Sequence, residues 1–447
     1  MIYIAKKHNE IKYDEKFAKK LHHVIIVNDE QSSNAGDLFS IWNQAPKVFI
    51  SSELGDFYDY LRNTKLNKKQ NILILGAKNT KEETILRYKN LLEFYYFYRE
   101  EYSLIEKEMK KVNKSLSLKT DNPLVKDSIN KFISLNKDGK YIRAILISLA
   151  YKISTKKNDK KYLALASAYE TFQTSILIHD DIIDQAELRR NKPTVTELYK
   201  KDFESLKEVN PRKAKHTAMS LALCVGDLGL YQANKIIVEN YSKDFPELFS
   251  YYNEIVLNTI KGEILDVILP FKSEFDQKYK INESDVLDIA RLKTSYYSIV
   301  GPFVLGLILG KSSVRRQKQF ESALLDLGIA FQIKDDILGI FGLEEKLGKK
   351  VYSDVFEYKQ TILFNYVINS KYKKAILKYY GKKNLSKSDI IAIKKIFTDS
   401  GALKYTENLL EELINNTYEK IMKINFNSKY YKNIFLGFID YLMLRDR

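Results

Sequence analysis

The sequence is poor in cysteine and in long apolar runs. Its 447 residues include one cysteine, Cys224, which excludes a disulfide within the chain and suits a reducing compartment. The longest charge-free apolar run, 296–310, is shorter than the roughly 20 residues that a membrane span needs. Residues 1–10 mix charges and lack the apolar core of a secretory signal. We therefore expect a soluble, cytoplasmic protein without a transmembrane segment.

The charge of the chain is strongly positive. It has 73 basic and 57 acidic residues, a formal net charge of +16 that would attract phosphate-bearing partners. The lysines are spread along the chain, and no DNA- or RNA-binding signature accompanies them, so nucleic acid is not an expected partner. Apolar residues make up 45% of the chain, which is enough to fill a sizeable core.

The most informative segment is 172–194, in which a nearly unbroken apolar run ends at Asp180, Asp181 and Asp184. Asp180 and Asp184 share a helix face, because residues four apart do. Two carboxylates within one turn of an apolar helix need a cation between them, and Mg²⁺ prefers such oxygen ligands. A solvated helix end whose aspartates pair with the arginines that follow remains an alternative at this point.

A second acidic cluster has the same form. Within the segment 331–339, Asp335 and Asp336 again end an apolar helical run, and Gln332 precedes them. Two acid-rich helix ends could face each other and hold several divalent ions around one diphosphate. The two clusters together therefore predict Mg²⁺ as the cofactor.

Further motifs follow the same order and roughly the same spacing as in a known family. They are Gly139-Lys140-Tyr141-Ile142-Arg143, the pair Arg189-Arg190, Lys293-Thr294, and Gly348-Lys349 followed by Ser353-Asp354 and Lys359. With the aspartates, they resemble the trans-isoprenyl diphosphate synthases, the polyprenyl synthetase family, of the geranylgeranyl or polyprenyl diphosphate synthase type. The resemblance implies an all-α fold, the isoprenoid-synthase helical bundle with a central cavity.

The resemblance also implies an activity. It is the Mg²⁺-dependent head-to-tail condensation of isopentenyl diphosphate with an allylic diphosphate, by a homodimeric prenyltransferase, to geranylgeranyl diphosphate or a longer product. The implied catalytic metal ligands are Asp180, Asp181, Asp184, Asp335 and Asp336. The implied substrate ligands are Lys140, Arg143, Gln173, Arg189, Arg190, Lys293, Thr294, Gln332, Lys349 and Lys359. Among them, the resemblance assigns Arg189 to the allylic diphosphate and Arg190 to isopentenyl diphosphate.

Two other functions remain open. A non-catalytic regulatory subunit of a heteromeric synthase would carry degraded aspartate motifs, whereas here the first is whole and the second has Gly339 in place of its third aspartate. A helical terpene cyclase would share the metal-bound aspartates. It would not need G-K-x-x-R or the paired arginines.

The resemblance does not reach the N-terminal part of the chain. Residues 1–91 contain three short β-rich runs, 23–27, 47–50 and 71–75, separated by lengths that permit a small α/β unit. A poorly ordered extension is the alternative. From residue 92 to 447 the pattern predicts a single all-α domain.

The helix before Asp180 should set the product length. A growing chain held at Asp180 would run back along this helix toward its N-terminus. Ser175 leaves the pocket open past C15, and Phe172, eight residues before Asp180, is the next large side chain. The sequence therefore predicts a floor near C20 made by Phe172.

Overall fold

The protein divides into two compact units. The structure, a computed structural model, describes residues 2–5, 20–27, 47–51, 53–64, 66, 68–76, 80–117, 120–137, 139–155, 159–204, 206, 209–276, 278–342, 352–382 and 384–444. The first unit is formed by Met1–Glu101 together with Phe426–Arg447, and the second by Tyr102–Asn425. Each unit is described separately below.

The first unit contains a four-stranded parallel sheet. Its strands are β1 (Ile2–Ala5), β2 (His23–Val27), β3 (Val48–Ser51) and β4 (Ile72–Gly76), in the order β1-β4-β2-β3. The two central strands, β2 and β4, are buried at every residue, which explains why they are continuous apolar runs rather than alternating ones. The α/β alternative for the N-terminal region is thereby confirmed.

Helices make up most of the rest of the described chain. In chain order they are α1 Leu54–Thr64, α2 Glu82–Ser117, α3 Pro123–Leu135, α4 Ile142–Ser154, α5 Tyr162–Ile183, α6 Val195–Glu204, α7 Pro211–Tyr241, α8 Pro246–Phe275, α9 Glu283–Ile289, a π-helix Ala290–Val300, α10 Gly301–Leu309, α11 Val314–Phe341, α12 Ser353–Phe356, α13 Ile362–Ile368, α14 Lys373–Ile376, α15 Lys387–Asp399, α16 Ala402–Lys423 and α17 Lys429–Leu444. The expected all-α fold of the main part of the chain is therefore confirmed.

The expected division at residues 91 and 92 differs from the observed one. Helix α17 belongs to the first unit, where the Phe94 ring lies 5.6 Å from that of Phe438 and 5.0 Å from that of Tyr441. Arg87 Nη2 also lies 2.6 Å from a carboxylate oxygen of the buried Asp440. Sequence periodicity could not show this, because the partners are far apart along the chain.

The core of the second unit surrounds α5, which carries the first aspartates. Helix α5 and its neighbour α4 are largely buried along their length, and α10 is buried at every residue. On α7, Gly229 allows close packing against α5, since a Cβ there would lie 2.4 Å from Ser175 Oγ. These contacts place the aspartate-bearing end of α5 within a packed helical framework.

A π-helix interrupts the helical stretch 283–309. Residues Ala290–Val300 form i→i+5 turns between α9 and α10, and Pro302 lies in the first turn of α10. A Cβ on Gly262 of α8 would lie 2.4 Å from the backbone nitrogen of Lys293, so the two backbones touch at this glycine. The π-helix thus holds Lys293 directly against α8.

Two described stretches, Pro211–Tyr241 and Glu283–Leu309, are long and apolar enough to cross a membrane when only length and composition are counted. The most apolar window of the second is 83% buried inside the protein, and that of the first 39%. Core helices of soluble proteins pass the same test, so this is weak support for a span.

Candidate active site

The end of α5 meets two lysines and two further acids. We call Asp180, Asp184, Glu263, Asp266, Lys293 and Lys359 the carboxylate cluster. Lys293 Nζ, from the π-helix, lies 3.2 Å from Asp180 Oδ1, 2.8 Å from Glu263 Oε2 and 2.6 Å from Asp266 Oδ2. The two acids of α8 are three residues apart and therefore share one face of that helix.

Lys359 joins the carboxylate cluster from a segment far beyond α5 in the sequence. It follows α12, and its backbone N–H donates to the carbonyl of Asp354 at 2.8 Å. Its Nζ lies 3.1 Å from Glu357 Oε2, 3.5 Å from Asp184 Oδ2 and 3.9 Å from Asp266 Oδ2. Two sequence-predicted lysines thus bridge the first aspartate motif to α8.

The cluster shifts the acidities of its members in different directions. Burial would raise the pKa of Asp180, but Lys293, Lys359 and Arg189 outweigh it and hold that pKa below its usual value. Burial raises the pKa of Asp184 above its ordinary value, with Lys359 opposing and Asp180 adding repulsion. The pKa of Lys359 is raised despite its burial, because Asp266 and Asp184 favour the ammonium. The cluster therefore combines ionised acids and lysines in a buried site.

A two-residue hairpin sends the paired arginines in different directions. Strands β5 (Leu188–Arg189) and β6 (Lys192–Pro193) pair antiparallel, and Arg190 and Asn191 between them have φ of 53° and 59°. Positive φ at both central residues is the conformation of a type I′ turn. Arg189 lies on the strand and Arg190 at the tip, so neighbouring residues face different surroundings.

Arg189 contacts the first aspartates directly. Its Nη2 lies 3.0 Å from Asp180 Oδ2, and its Nε donates to Asp181 Oδ1 at 2.7 Å. Asp181 is 2% exposed, and its Oδ2 has no hydrogen-bond partner among the residues described. Burial raises the pKa of Asp181 to about 6, although Arg189 opposes the shift. Asp181 therefore points into the protein, unlike its two neighbours in the motif.

Arg190 joins the G-K-x-x-R turn. A Cβ on Gly139 would lie 3.5 Å from Arg190 Nη1, so the guanidinium rests close to this glycine. Arg143 Nη2 donates to Ser298 Oγ at 2.6 Å, and its guanidinium stacks 4.3 Å from the centre of the Tyr297 ring. We call Arg143, Glu170, Arg190 and Tyr297 the arginine cluster, because the two arginines act to lower the pKa of both Glu170 and Tyr297.

Several polar atoms around the arginine cluster have no hydrogen-bond partner among the described residues. They are Arg143 Nε, Gln173 Oε1 and Tyr297 Oη. Gln173 is buried on α5, and Lys140 is exposed just before α4. Buried polar atoms normally have partners, so the unpaired atoms of Arg143 and Tyr297, whose guanidinium and ring are in contact, indicate a place for a polar ligand.

The second aspartate motif connects to the first through a glutamine. On α11, Gln332 Nε2 donates to Asp336 Oδ1 at 2.8 Å, and Thr294 Oγ1 donates to Gln332 Oε1. Thr294 adjoins Lys293, which contacts Asp180. Asp335 and Asp336 are both partly exposed. The structure thus links Gln332, Asp336 and Lys293-Thr294 into one chain of contacts that ends at the first motif.

Gly339, at the last position of the second motif, lies under another carboxylate. A Cβ at this position would be 2.7 Å from Asp354 Oδ2. A side chain on residue 339 would therefore collide with Asp354. The second motif lacks its own third acid, but Asp354 places a carboxylate beside the same helical turn.

Lys349 and the neighbouring Lys346 and Lys350 fall in 343–351, outside the described residues. Their predicted contact with a diphosphate stays a prediction. Sequence reasoning missed Glu263, Asp266 and Tyr297. The only local signal for the two acids was their spacing of three, which puts them on one helix face, and nothing in the sequence relates them to Lys293.

The two side chains expected to limit the product face different helices. The Phe172 ring packs against the rings of Tyr169, Tyr252 and Tyr297 at 5.5–5.6 Å. Ser175 instead lies near Phe132 of α3, since a Cβ on Gly229 would be 2.4 Å from Ser175 Oγ and 2.2 Å from Phe132 Cε2. The space left by the small Ser175 side chain is therefore bordered by Phe132, a fully buried residue that the sequence did not single out.

The acids suit a hard metal ion by their chemistry. Within the described ranges, no group of three or more His, Cys, Asp or Glu side chains is arranged to hold a metal ion. Lysines and Arg189 neutralise the carboxylates instead. The available donors are carboxylate oxygens, the ligand type that Mg²⁺ takes in company with water and phosphate oxygens.

Comparison with known proteins identifies the family. Residues 123–397, more than half of the chain, match the family model described as polyprenyl synthetase. Over 299 residues the chain is 28% identical to a geranylgeranyl diphosphate synthase of Sulfolobus acidocaldarius, covering 65% of this chain and 82% of the relative. It is 27% identical over 310 residues to a geranylfarnesyl diphosphate synthase of Aeropyrum pernix, covering 67% and 89%.

Solved structures agree with the fold. The crystal structure of geranylgeranyl pyrophosphate synthase from Corynebacterium glutamicum, complexed with isoprenyl diphosphate and magnesium, matches with a TM-score of 0.70 at 23% identity, over 77% of this chain and 98% of that one. A geranylgeranyl pyrophosphate synthetase from Pyrococcus horikoshii matches with a TM-score of 0.61 at 22% identity, over 77% and 98%. The chain belongs to the polyprenyl synthetase family of prenyltransferase enzymes.

Proposed function

We propose that this protein condenses an allylic diphosphate with isopentenyl diphosphate, head to tail, to give geranylgeranyl diphosphate or a longer prenyl diphosphate. The observation that carries the proposal is the hairpin at 188–193, which directs Arg189 to the carboxylate cluster and Arg190 to the arginine cluster. A condensation of two diphosphates needs two neighbouring anion sites with separate cations. The names of the relatives point to the same reaction class.

The carboxylate cluster is the proposed allylic site. Asp180 and Asp184, with Asp335 and Asp336 from the second motif, would hold Mg²⁺, whereas Asp181 is turned toward Arg189. Bound Mg²⁺ would supply Lewis acidity and charge neutralisation for the leaving diphosphate. Lys293, Lys359 and Arg189 surround the same acids and would bind the phosphate oxygens. These fixed cations stabilise charge that develops as the allylic C–O bond breaks.

The arginine cluster is the proposed isopentenyl diphosphate site. Arg143 stands in the first turn of α4, where the helix dipole favours an anion. Lys140, Gln173 and Arg190 would complete the contacts. Held there, the isopentenyl double bond attacks the allylic carbocation, and the departing diphosphate accepts the proton that is then lost, so no side chain has to act as the base.

The test is to incubate the purified protein with Mg²⁺, an allylic diphosphate and radiolabelled isopentenyl diphosphate. Label should enter the organic-soluble product, and chromatography should size that product at C20 or longer. A chelator control should abolish incorporation. No incorporation with any of several allylic primers would rule out the condensation and favour a regulatory subunit, whereas a cyclised hydrocarbon product would indicate a terpene cyclase.

We also infer a homodimer in the cytoplasm. The helix that carries Glu263 and Asp266 exposes an apolar stripe on its outer side, at Leu257, Ile260, Ile264, Phe271 and Phe275. Such a stripe, 44–65% exposed at each residue, is costly in water and suits a second copy of this chain. Cys224 is exposed and would stay reduced in that compartment.

Light scattering after gel filtration tests the dimer. Ile264→Lys should shift the mass from dimer to monomer, because it places a charge within the stripe. Leu124→Lys, on an exposed apolar residue of α3, is the matched control and should leave the dimer intact. A monomeric wild-type protein would contradict the inference.

A further inference from the structure

Helix α4 begins without a cap of its own. Its N-cap residue, Tyr141, has φ of 50° in the left-handed region and makes no side-chain hydrogen bond to the helix. The first turn of any α-helix leaves backbone N–H groups unpaired, and a side-chain oxygen at the N-cap normally accepts from the second or third of them. In this helix those positions are Arg143 and Ala144.

Glu170, which lies on the neighbouring helix α5, supplies the capping oxygen for α4 instead. Its Oε1 accepts the backbone N–H of Ala144 at 3.0 Å, although the two residues are 26 positions apart. Glu170 is 5% exposed. Burial raises its pKa, while Arg143, the Ala144 N–H and Arg190 act in the opposite direction. A buried acid is costly unless it is paired, so these contacts account for its presence in the core.

The place of Glu170 connects it to the proposed isopentenyl diphosphate site. Arg143 is the second residue of the helix that Glu170 caps, and Arg190 rests close to Gly139 just before that helix. Fraying of the first turn would move the Arg143 side chain away from Ser298 and Tyr297, which it now contacts. The site for the second diphosphate therefore depends on a turn that has no local cap.

We propose that Glu170 is a positioning residue for isopentenyl diphosphate, which holds the G-K-x-x-R turn in its binding conformation by capping α4 across the helix pair. The role deepens the proposed function and rests on the assignment of the arginine cluster to isopentenyl diphosphate. Glu170 need not touch the substrate. Its effect should fall on the second diphosphate, because its carboxylate contacts the first turn of α4, whereas the aspartates of the carboxylate cluster lie at the far end of α5.

Two variants separate capping from charge. Glu170→Gln keeps the length of the side chain and an oxygen that can accept the Ala144 N–H, but it removes the charge. Glu170→Asp keeps the charge, but its shorter arm does not reach that N–H. Thr171→Val is the matched control, since Thr171 is also buried on α5 and its hydroxyl donates to the carbonyl of Ser167 on the same helix.

The measurements are the Kd of isopentenyl diphosphate by titration calorimetry and the KM of each substrate in the condensation assay. Glu170→Asp should weaken isopentenyl diphosphate on the order of tenfold, the usual effect of losing a helix cap or a charge-assisted hydrogen bond. Its KM for the allylic substrate should change less than about twofold. Glu170→Gln and Thr171→Val should stay near wild type.

Three outcomes would overturn the inference. They are an unchanged Kd in Glu170→Asp, a larger loss in Glu170→Gln than in Glu170→Asp, or equal losses for both substrates, which would indicate a general structural defect. A wild-type protein that binds isopentenyl diphosphate without condensing it would refute the proposed function alone. The Kd series would then still decide the role of Glu170.

Discussion

Asp180 lies where three cations from three parts of the chain converge. Lys293, Arg189 and, at longer range, Lys359 favour its ionised form. Its carboxylate is therefore fixed in charge and position before any substrate arrives. Such preorganisation lowers the cost of stabilising charge in the transition state, because the groups do not have to reorient.

Asp180→Asn should lower kcat on the order of a hundredfold or more, while the melting temperature changes little. Asp335→Ala should behave in the same way if the second motif holds metal. Asp326→Asn, which breaks a pair with Lys420 on the other side of α11, is the control and should keep full activity. Near-normal turnover in Asp180→Asn would show that Asp180 does not hold a catalytic metal ion.

The paired arginines should differ in substrate preference. Arg189→Lys should mainly raise the KM for the allylic diphosphate and Arg190→Lys mainly that for isopentenyl diphosphate, because a point charge cannot replace a bidentate guanidinium. Arg189→Lys should also lower thermal stability, since Arg189 pairs with the buried Asp181. Steady-state kinetics with each substrate varied in turn checks both. Equal effects of the two variants would show that the hairpin does not divide the substrates.

His23 should make the first unit sensitive to acid. Burial, with Lys47 and His22 nearby, lowers the pKa of His23 from 6.5 to about 4. Between about pH 4 and pH 6.5, His23 is therefore protonated in the unfolded chain but neutral in the folded protein. The stability contributed by neutral His23 is complete above pH 6.5 and is lost as the pH falls toward 4.

Denaturant unfolding at pH 7 and pH 5 measures this effect. Wild type should lose more stability over this interval than His23→Gln, because the variant has no group that protonates on unfolding. The exposed His216→Gln should match wild type. If wild type and His23→Gln lose the same amount, the neutral state of His23 carries no stability.

At the scale of helices, two residues on different helices are candidates for the side chain that limits product length. The sequence predicts Phe172, whereas the structure places Phe132 next to Ser175. Phe132→Ala should lengthen the product, and Phe132→Leu should do so with a smaller loss of stability, since a buried Phe→Ala change costs about 3–5 kcal/mol. Reversed-phase chromatography of the products gives the length. If Phe172→Ala lengthens the product and Phe132→Ala does not, the side chain that limits product length is Phe172 of α5.

Local sequence patterns were enough to predict some elements and not others. Strands β2, β3 and β4 were found within a residue, because short β-branched apolar runs between turns have few other uses. The contacts of Glu263 and Asp266 with Lys293 could not be found, since they depend on the π-helix and on the close approach at Gly262. Neither feature has a local sequence signal. The motifs were chosen from sequence, whereas tertiary packing decides which further acids lie against Lys293.

For the whole molecule, the two-unit division changes where the chain should be shortened. The sequence predicts that a protein beginning near Leu91 retains activity. That cut would remove the sheet together with two residues that contact α17: Tyr58, whose ring lies 5.6 Å from that of Tyr441, and Arg87, which pairs with Asp440. Residues 92–447 should therefore aggregate, whereas residues 102–425, which contain the whole family match, should remain soluble and condense substrates.

Expression of both shortened proteins beside the full chain, with gel filtration and the condensation assay, decides the matter. Full activity of 92–447 together with loss of activity of 102–425 would show that α17 serves the catalytic unit. Inactivity of both would place the sheet among the requirements for catalysis. Either result would contradict an independent helical unit.

The two chain segments that form the first unit are synthesised at different times. A ribosome makes the four strands first, then every residue of the helical unit, and only afterwards the helix Lys429–Leu444 that supplies Phe438, Asp440 and Tyr441. Domains usually fold as they emerge, beginning from the N-terminus, but the first unit includes a segment that is synthesised after the whole second unit. A nascent chain halted at residue 425 would contain all residues of the second unit but only part of the first, so the unit that begins first is completed last.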